Sequence, residues 1–185
     1  MQITIADADG MHDFGMRLAE QLRAGDLIVL TGPLGAGKTT LTRGLGEGLG
    51  VRGSVTSPTF VLARTHPSVV GGPPLVHVDA YRLSTPVELD DLDIDFVHSI
   101  VVIEWGRGML DGVTDSWLDI EIVRPLGASQ ASPDADASAA DASAAESAGV
   151  IEVHDVDEPR TVTITAHGPR WPAAPAFELA RHPSE

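Results

Sequence analysis

Leu27-Ile-Val-Leu-Thr31 is a continuous apolar run that leads directly into Gly32-Pro-Leu-Gly35-Ala-Gly37-Lys38-Thr39. The run reads as a strand buried on both faces, and the residues from Lys38 to about Leu49 read as a helix. The segment between them fits G-x-x-x-x-G-K-[ST], and the strand–turn–helix setting is what gives that pattern physical meaning. A row of backbone N–H groups wraps a phosphate only where side chains do not obstruct it. Gly35 and Gly37 therefore suit the tight approach and allow positive φ. The helix that follows adds the positive end of its dipole. The candidate nucleotide-binding residues are Pro33, Leu34, Gly35, Ala36, Gly37, Lys38, Thr39 and Thr40. Within them Lys38 is placed to reach the β- and γ-phosphates, and the Thr39 hydroxyl to ligate Mg2+.

Lys38 is the only lysine; the other eleven basic residues are arginines. With abundant Ala, Gly and Asp, this is the composition of a GC-rich genome. A lone lysine at the position the motif demands is therefore informative. It also narrows the class. A GTPase needs a second lysine for an Asn-Lys-x-Asp guanine reader, and an LSGGQ-like signature is absent. The metal partner of a phosphate loop lies at the end of another buried strand, and two carboxylates qualify. Glu104 ends Val101-Val-Ile-Glu104, and Asp79 ends Leu75-Val-His-Val-Asp79. Either can hold Mg2+, directly or through water, while the other orients an attacking water.

The remaining chain alternates. Gln2 to Ile5 reads as a short strand, and Asp9 or Asp13 as the cap of a helix running to about Arg23, with Phe14, Leu18 and Leu22 at helical spacing. Phe60 to Arg64, Leu75 to Val78 and Ile100 to Ile103 read as strands, and Thr85-Pro86 opens a helix. Trp117 to Val123 and Arg160 to Ala166 alternate, the pattern of antiparallel strands with one more exposed face. The fold class is thus α/β: a three-layer P-loop domain with a mixed central sheet and antiparallel late strands. The 185 residues suffice for one such domain, 1–185. With four Phe, three Trp and one Tyr, the core must be built from Val, Leu, Ile and Ala.

Charge and composition exclude several classes. A net charge of −15 repels phosphate backbones, which disfavours stand-alone DNA binding. Zero cysteines exclude disulfides, thiolate metal sites and a Cys nucleophile. No apolar run approaches the ~20 residues of a membrane span, and Met1 to Gly10 lacks the basic and apolar regions of a signal peptide. A soluble cytoplasmic protein is expected. The acidity concentrates between Leu126 and Glu158, which hold eight acidic residues and no Lys or Arg. Within it, residues 127–149 repeat Ala, Ser and Asp without Val, Ile, Leu or aromatics. Such a segment cannot bury enough apolar surface to offset the entropy of ordering, so it reads as a disordered insertion joining two neighbouring strands.

Four motifs together resemble the TsaE (YjeE) family, the small bacterial ATPases of tRNA threonylcarbamoyladenosine synthesis. They are Gly32-Pro-Leu-Gly-Ala-Gly-Lys-Thr-Thr40, Val55-Thr-Ser-Pro-Thr-Phe60, His77-Val-Asp-Ala-Tyr-Arg82 and Ile103-Glu-Trp-Gly106. Their order and spacing match across about residues 1–125, with a final strand near Thr161 to Ala166; the Leu126 to Glu158 insertion departs from the pattern. The resemblance implies that Lys38, Asp79 and Glu104 are catalytic, that Thr39 and Glu104 ligate Mg2+, and that ATP is hydrolysed to ADP. It also implies that Ser57 to Phe60 is a switch-like loop sensing the γ-phosphate. The partners it implies are the TsaD and TsaB proteins, with tRNA met only through that complex. Trp105 is open between core packing and the site, and His77 reads as a strand histidine filling a satisfied pocket. Arg82 and Arg107 read as surface ion pairs before charge stabilisers, and Glu88, Asp90, Asp91, Asp93 and Asp95 as a solvated face. The alternative reading is a small P-loop nucleoside or metabolite kinase, which would need an acceptor pocket and an Arg-rich lid. A non-hydrolysing nucleotide-dependent adaptor is a further rival.

Replacing residues 127–149 by a short Gly/Ser turn lowers loop-closure entropy by ~0.6 kcal/mol per halving of length, and removing Asp134, Asp136, Asp141 and Glu146 eases self-repulsion. The melting temperature should stay level or rise slightly, with ATP hydrolysis intact. A collapsed melting temperature would show that the stretch is folded. Intact melting with lost partner stimulation would make it a docking arm.

Overall fold

In a computed structural model, residues 1–58, 60–110, 112–124 and 158–171 are described. The 127–149 stretch lies outside the described residues. The elements run β1 (Gln2–Ile5), α1 (Ala8–Ala19), β2 (Leu27–Thr31), α2 (Lys38–Gly48), β3 (Ala63–His66), β4 (Leu75–Asp79), α3 (Pro86–Asp90), β5 (Ile100–Glu104), β6 (Trp117–Val123) and β7 (Arg160–His167), with a 3-10 turn Ala80–Arg82 after β4. They form one seven-stranded mixed sheet in the order β1-β7-β6-β2-β5-β4-β3.

The apolar run 27–31 becomes the middle strand because it has no wet face. β2 pairs in parallel with β5 on one side and with β6 on the other. Alternate side chains leave opposite faces of each strand, and the two faces are covered differently. Ile28, Leu30, Val102 and Ile120 lie under Met11, Phe14 and Leu18 of α1 and Leu41 and Leu45 of α2. Leu27, Val29, Val78, Val101 and Ile103 lie under Leu89 of α3 and Leu110, with Leu92, Ile94 and Phe96 packed at the margin. Each fully buried aliphatic side chain contributes about 1.5–3 kcal/mol relative to exposure. Among the described residues no helix is long and apolar enough to cross a membrane.

Several expectations shift. β6 and β7 are antiparallel to each other, as their alternation suggests, but β6 also runs parallel to β2. Its alternation reflects one well-covered face rather than an all-antiparallel setting. The stretch between them does connect hydrogen-bonded neighbours, Val123 pairing with Thr161. Helix α1 is capped by Asp7, not Asp9 or Asp13: the Asp7 carboxylate accepts from Gly10 N at 2.7 Å. The helix ends at Ala19 rather than Arg23, while Leu22 still packs against the core from the turn beyond it. The strand expected at 60–64 starts at Ala63. Val61 N and Leu62 N both close onto the Pro58 carbonyl, and Leu62 has a φ of 64°, so the chain turns tightly before it can pair.

Two features fix the helices and the segment just after β7. Asp26, in the turn before β2, receives Arg170 Nε at 2.8 Å and Nη2 at 2.9 Å, a bidentate pair stacked over Trp171. Helices α1 and α2 meet backbone to backbone, because a Cβ at Gly44 would overlap the His12 carbonyl and one at Gly15 the Leu41 carbonyl. Ala for Gly raises intrinsic helix propensity by about 1 kcal/mol, yet overpacking costs about 1–3 kcal/mol or more. Gly44→Ala should therefore lose stability in urea unfolding despite its better propensity. A gain would show that the helices do not touch there.

Candidate functional site

The phosphate loop rises from the C-terminal end of β2 and ends on Gly37, the first cap position of α2. Gly37 has a φ of 108°, and no side chain among the described residues caps the helix. The first-turn N–H groups are thus left to face whatever sits in the loop. A pocket of about 760 Å³ opens here, lined by Leu34 to Thr40, Ser57, Asp79, Tyr81, Glu104 and Trp105. Of the expected loop residues, Pro33 is not in the lining; it contributes its carbonyl instead.

Lys38 is 5% exposed. Its Nζ donates to the Gly32 carbonyl at 2.8 Å and to the Pro33 carbonyl at 3.1 Å, and it lies 4.1 Å from the centre of the Trp105 ring. Burial pulls its pKa below the ordinary lysine value, and the charges of Glu104 and Asp79 pull it back up. The ammonium is thus held against its own loop, 2.8 to 3.1 Å from carbonyls that a phosphate's oxygens would replace.

The two acids end adjacent strands, Asp79 on β4 and Glu104 on β5, and they are register partners. Both are buried. Glu104 Oε1 accepts from Thr39 Oγ1 at 3.1 Å and from His77 Nε2 at 2.9 Å. Asp79 Oδ1 accepts from Tyr81 N at 3.0 Å and so starts the 3-10 turn. That turn sets Tyr81 edge-on to Trp105, with ring centres 5.6 Å apart. Trp105 adopts a φ of 64°, and its N–H donates to the Leu30 carbonyl at 3.0 Å. This left-handed residue turns the chain off β5 and lays the indole beside Lys38, so Trp105 belongs to the pocket wall and not to the core.

Not every candidate joins the site. Ser57 lines the pocket, whereas Phe60 is 93% exposed and Thr59 lies outside the described residues. Arg64 on β3 holds the preceding loop by donating to Thr56 Oγ1 at 2.8 Å. Arg107 pairs with Asp119 at 3.4 Å and Glu121 at 3.7 Å, a surface ion pair as read. Arg82 is exposed outside the pocket lining. Asp90, Asp91, Asp93 and Asp95 are exposed, and Glu88 caps Ser84 N at 2.7 Å. His77 is not the satisfied histidine expected: its Nδ1 is buried without a hydrogen-bond partner among the described residues. Sequence reasoning also passed over Arg124, whose Nη1 donates to the Gly35 carbonyl at 3.4 Å while Nη2 pairs with Glu158 at 3.0 Å. Nothing in the spacing signals it, because the contact spans 89 positions.

Among the described residues no group of three His, Cys, Asp or Glu gathers to hold a metal unaided. A magnesium in a phosphate loop is of another kind, taking few protein oxygens and completing its shell with phosphate and water. The Thr39 hydroxyl and the Glu104 carboxylate, 3.1 Å apart on the pocket wall, are hard oxygen donors that fit it.

Residues 5–130 match the family model described as threonylcarbamoyl adenosine biosynthesis protein TsaE. The Streptomyces coelicolor tRNA threonylcarbamoyladenosine biosynthesis protein TsaE is 50% identical over 173 residues, covering 92% of this chain and 99% of that protein. The protein of the same name from Mycobacterium tuberculosis is 50% identical over 130 residues, 65% of this chain and 77% of its own length. The crystal structure of Bacillus subtilis YdiB matches with a TM-score of 0.60 and 25% identity, over 91% of this chain and 86% of that one. The phosphate loop, the strand-end acids and the Trp105 turn all fall within the family match, and the chain belongs to the TsaE family of tRNA threonylcarbamoyladenosine biosynthesis proteins.

Proposed function

We propose that this chain works as a single nucleotide-binding domain that hydrolyses ATP to ADP and phosphate with Mg2+, and that its nucleotide cycle drives the TsaB and TsaD proteins in tRNA threonylcarbamoyladenosine synthesis. The observation that carries the reading is the meeting of Thr39 Oγ1 and Glu104 Oε1 at 3.1 Å beside a buried lysine in an uncapped glycine loop. Binding ATP exchanges the Gly32 and Pro33 carbonyls on Lys38 for the β- and γ-phosphates, while the N–H groups of Gly35, Gly37, Lys38 and Thr39 wrap the β-phosphate; Ala36 N–H is taken by the Pro33 carbonyl at 3.1 Å. Thr39 and Glu104 would hold Mg2+, which supplies charge neutralisation on the phosphates. Asp79, register partner of Glu104, would orient the attacking water. The Trp105 ring covers the Lys38 ammonium from one side, 4.1 Å from its centre, and so strengthens the charge contacts beside it.

No arginine is among the described residues that line the pocket. Turnover by the isolated chain should therefore be slow, and a cation delivered by the partner complex should raise it. The net charge of −15 supports contact with tRNA through those partners rather than directly. ADP formation without any acceptor molecule, stimulated by TsaB, TsaD and tRNA, separates this reading from a metabolite kinase, which would need an acceptor.

Lys38→Ala removes a charge-assisted contact that is worth about 1.5–3 kcal/mol, so ATP affinity measured by equilibrium binding should fall at least tenfold in a normally melting protein. Unchanged binding would sink the phosphate-loop assignment. Glu104→Ala should weaken the Mg2+ dependence of nucleotide binding, because a hard cation loses an oxygen ligand. Asp79→Ala should chiefly slow phosphate release while leaving binding in place. Wild-type hydrolysis by both, with partners present, would overturn the two roles.

A further inference from the structure

Among the described residues Glu104 accepts two hydrogen bonds, and both land on one oxygen. Thr39 Oγ1 reaches Oε1 from α2 at 3.1 Å, and His77 Nε2 reaches it from β4 at 2.9 Å. His77 is 0% exposed. Its register partner on β5 is Val102, so the ring stands behind Glu104 on the same face of the sheet. Its other nitrogen, Nδ1, is buried with no hydrogen-bond partner among the described residues. A neutral imidazole carries one N–H and one lone pair. With the proton on Nδ1, the donor would be wasted and the Nε2 lone pair would face a carboxylate. The proton therefore sits on Nε2 and is donated to Glu104. A buried polar atom without a partner is unfavourable, and an apolar side chain at this position would avoid it. What the imidazole supplies in exchange is the bond to Oε1.

We propose that His77 is a positioning residue that fixes which oxygen of Glu104 serves a divalent cation. This rests on the reading of Glu104 as the Mg2+ ligand. His77 ties down Oε1 and leaves Oε2, which takes no hydrogen bond among the described residues, as the ligand oxygen. The Thr39 hydroxyl reaches Oε1 from the pocket side and can keep that bond while a lone pair faces a cation; His77 holds the same oxygen from β4. Such outer partners of a metal ligand commonly change metal affinity by about 10–100-fold.

The test is a MgCl2 titration of the full chain with a fluorescent, non-hydrolysable ATP analogue, beside the same binding measured in EDTA. His77→Leu should raise the Mg2+ concentration at half-saturation about tenfold and leave binding in EDTA within twofold of wild type. His77→Gln, which can present an N–H near the Nε2 position, should restore most of the Mg2+ response; His77→Asn, too short to reach Oε1, should not. The Gln and Asn pair carries the test even where His77→Leu fails to fold. A wild-type Mg2+ response in both Leu and Asn variants overturns the proposal, as does a Gln variant as impaired as Asn. Equal losses with and without Mg2+ also overturn it, since they mark a general effect on the pocket. A Glu104→Ala chain with unaltered Mg2+ dependence would instead remove the ligand reading on which the proposal rests.

Discussion

The burial of β2 on both faces and along both edges is the constraint from which the site follows. A strand of Leu, Ile and Val with neither face in water must have its backbone groups paired on each side. It finds β6 on one side and β5 on the other, both parallel to it. Parallel pairing puts the C-terminal ends of β2, β4 and β5 at the same edge of the sheet. The glycine loop leaves one of them, Asp79 closes another and Glu104 the third. The gathering of these groups at one edge is a consequence of strand direction.

The charge arrangement depends on that edge as well. One lysine and two carboxylates are buried within a shared wall, and the attraction of Glu104 and Asp79 for Lys38 offsets part of the desolvation that burial imposes. The loop carbonyls and the Trp105 face complete the coordination of the ammonium. The left-handed Trp105 and the 3-10 turn of Tyr81 are the local conformations that hold these groups together. Strained turns of this kind are found where the surrounding packing over-determines them.

Much of the fold was legible because apolar periodicity and glycine spacing are local signals. The buried runs at 27–31, 75–79 and 100–104, the start of α2 at Lys38 and the Pro86 start of α3 could each be read from a few neighbouring residues. Helix caps and strand starts were less legible. Asp7, Asp9 and Asp13 are chemically equivalent caps, and only the backbone path into α1 selects Asp7. The β3 start depends on the tight turn on Pro58, which no alternation pattern reports.

The amino-acid sequence by itself determined the chemistry available: one lysine, a hydroxyl beside it, a glycine loop that tolerates positive φ, and two acids at the ends of apolar strands. Those are properties of residue type and short spacing. Only the tertiary structure decided which groups meet. Thr39 and Glu104 are 65 positions apart, and His77 and Glu104 are 27 apart. Their contacts depend on sheet order and register, which are set by packing summed over the whole core and not by any local preference. The same holds for His77: its type leaves open what each ring nitrogen meets, and only the fold sets Nε2 against Glu104 and leaves Nδ1 without a hydrogen-bond partner among the described residues.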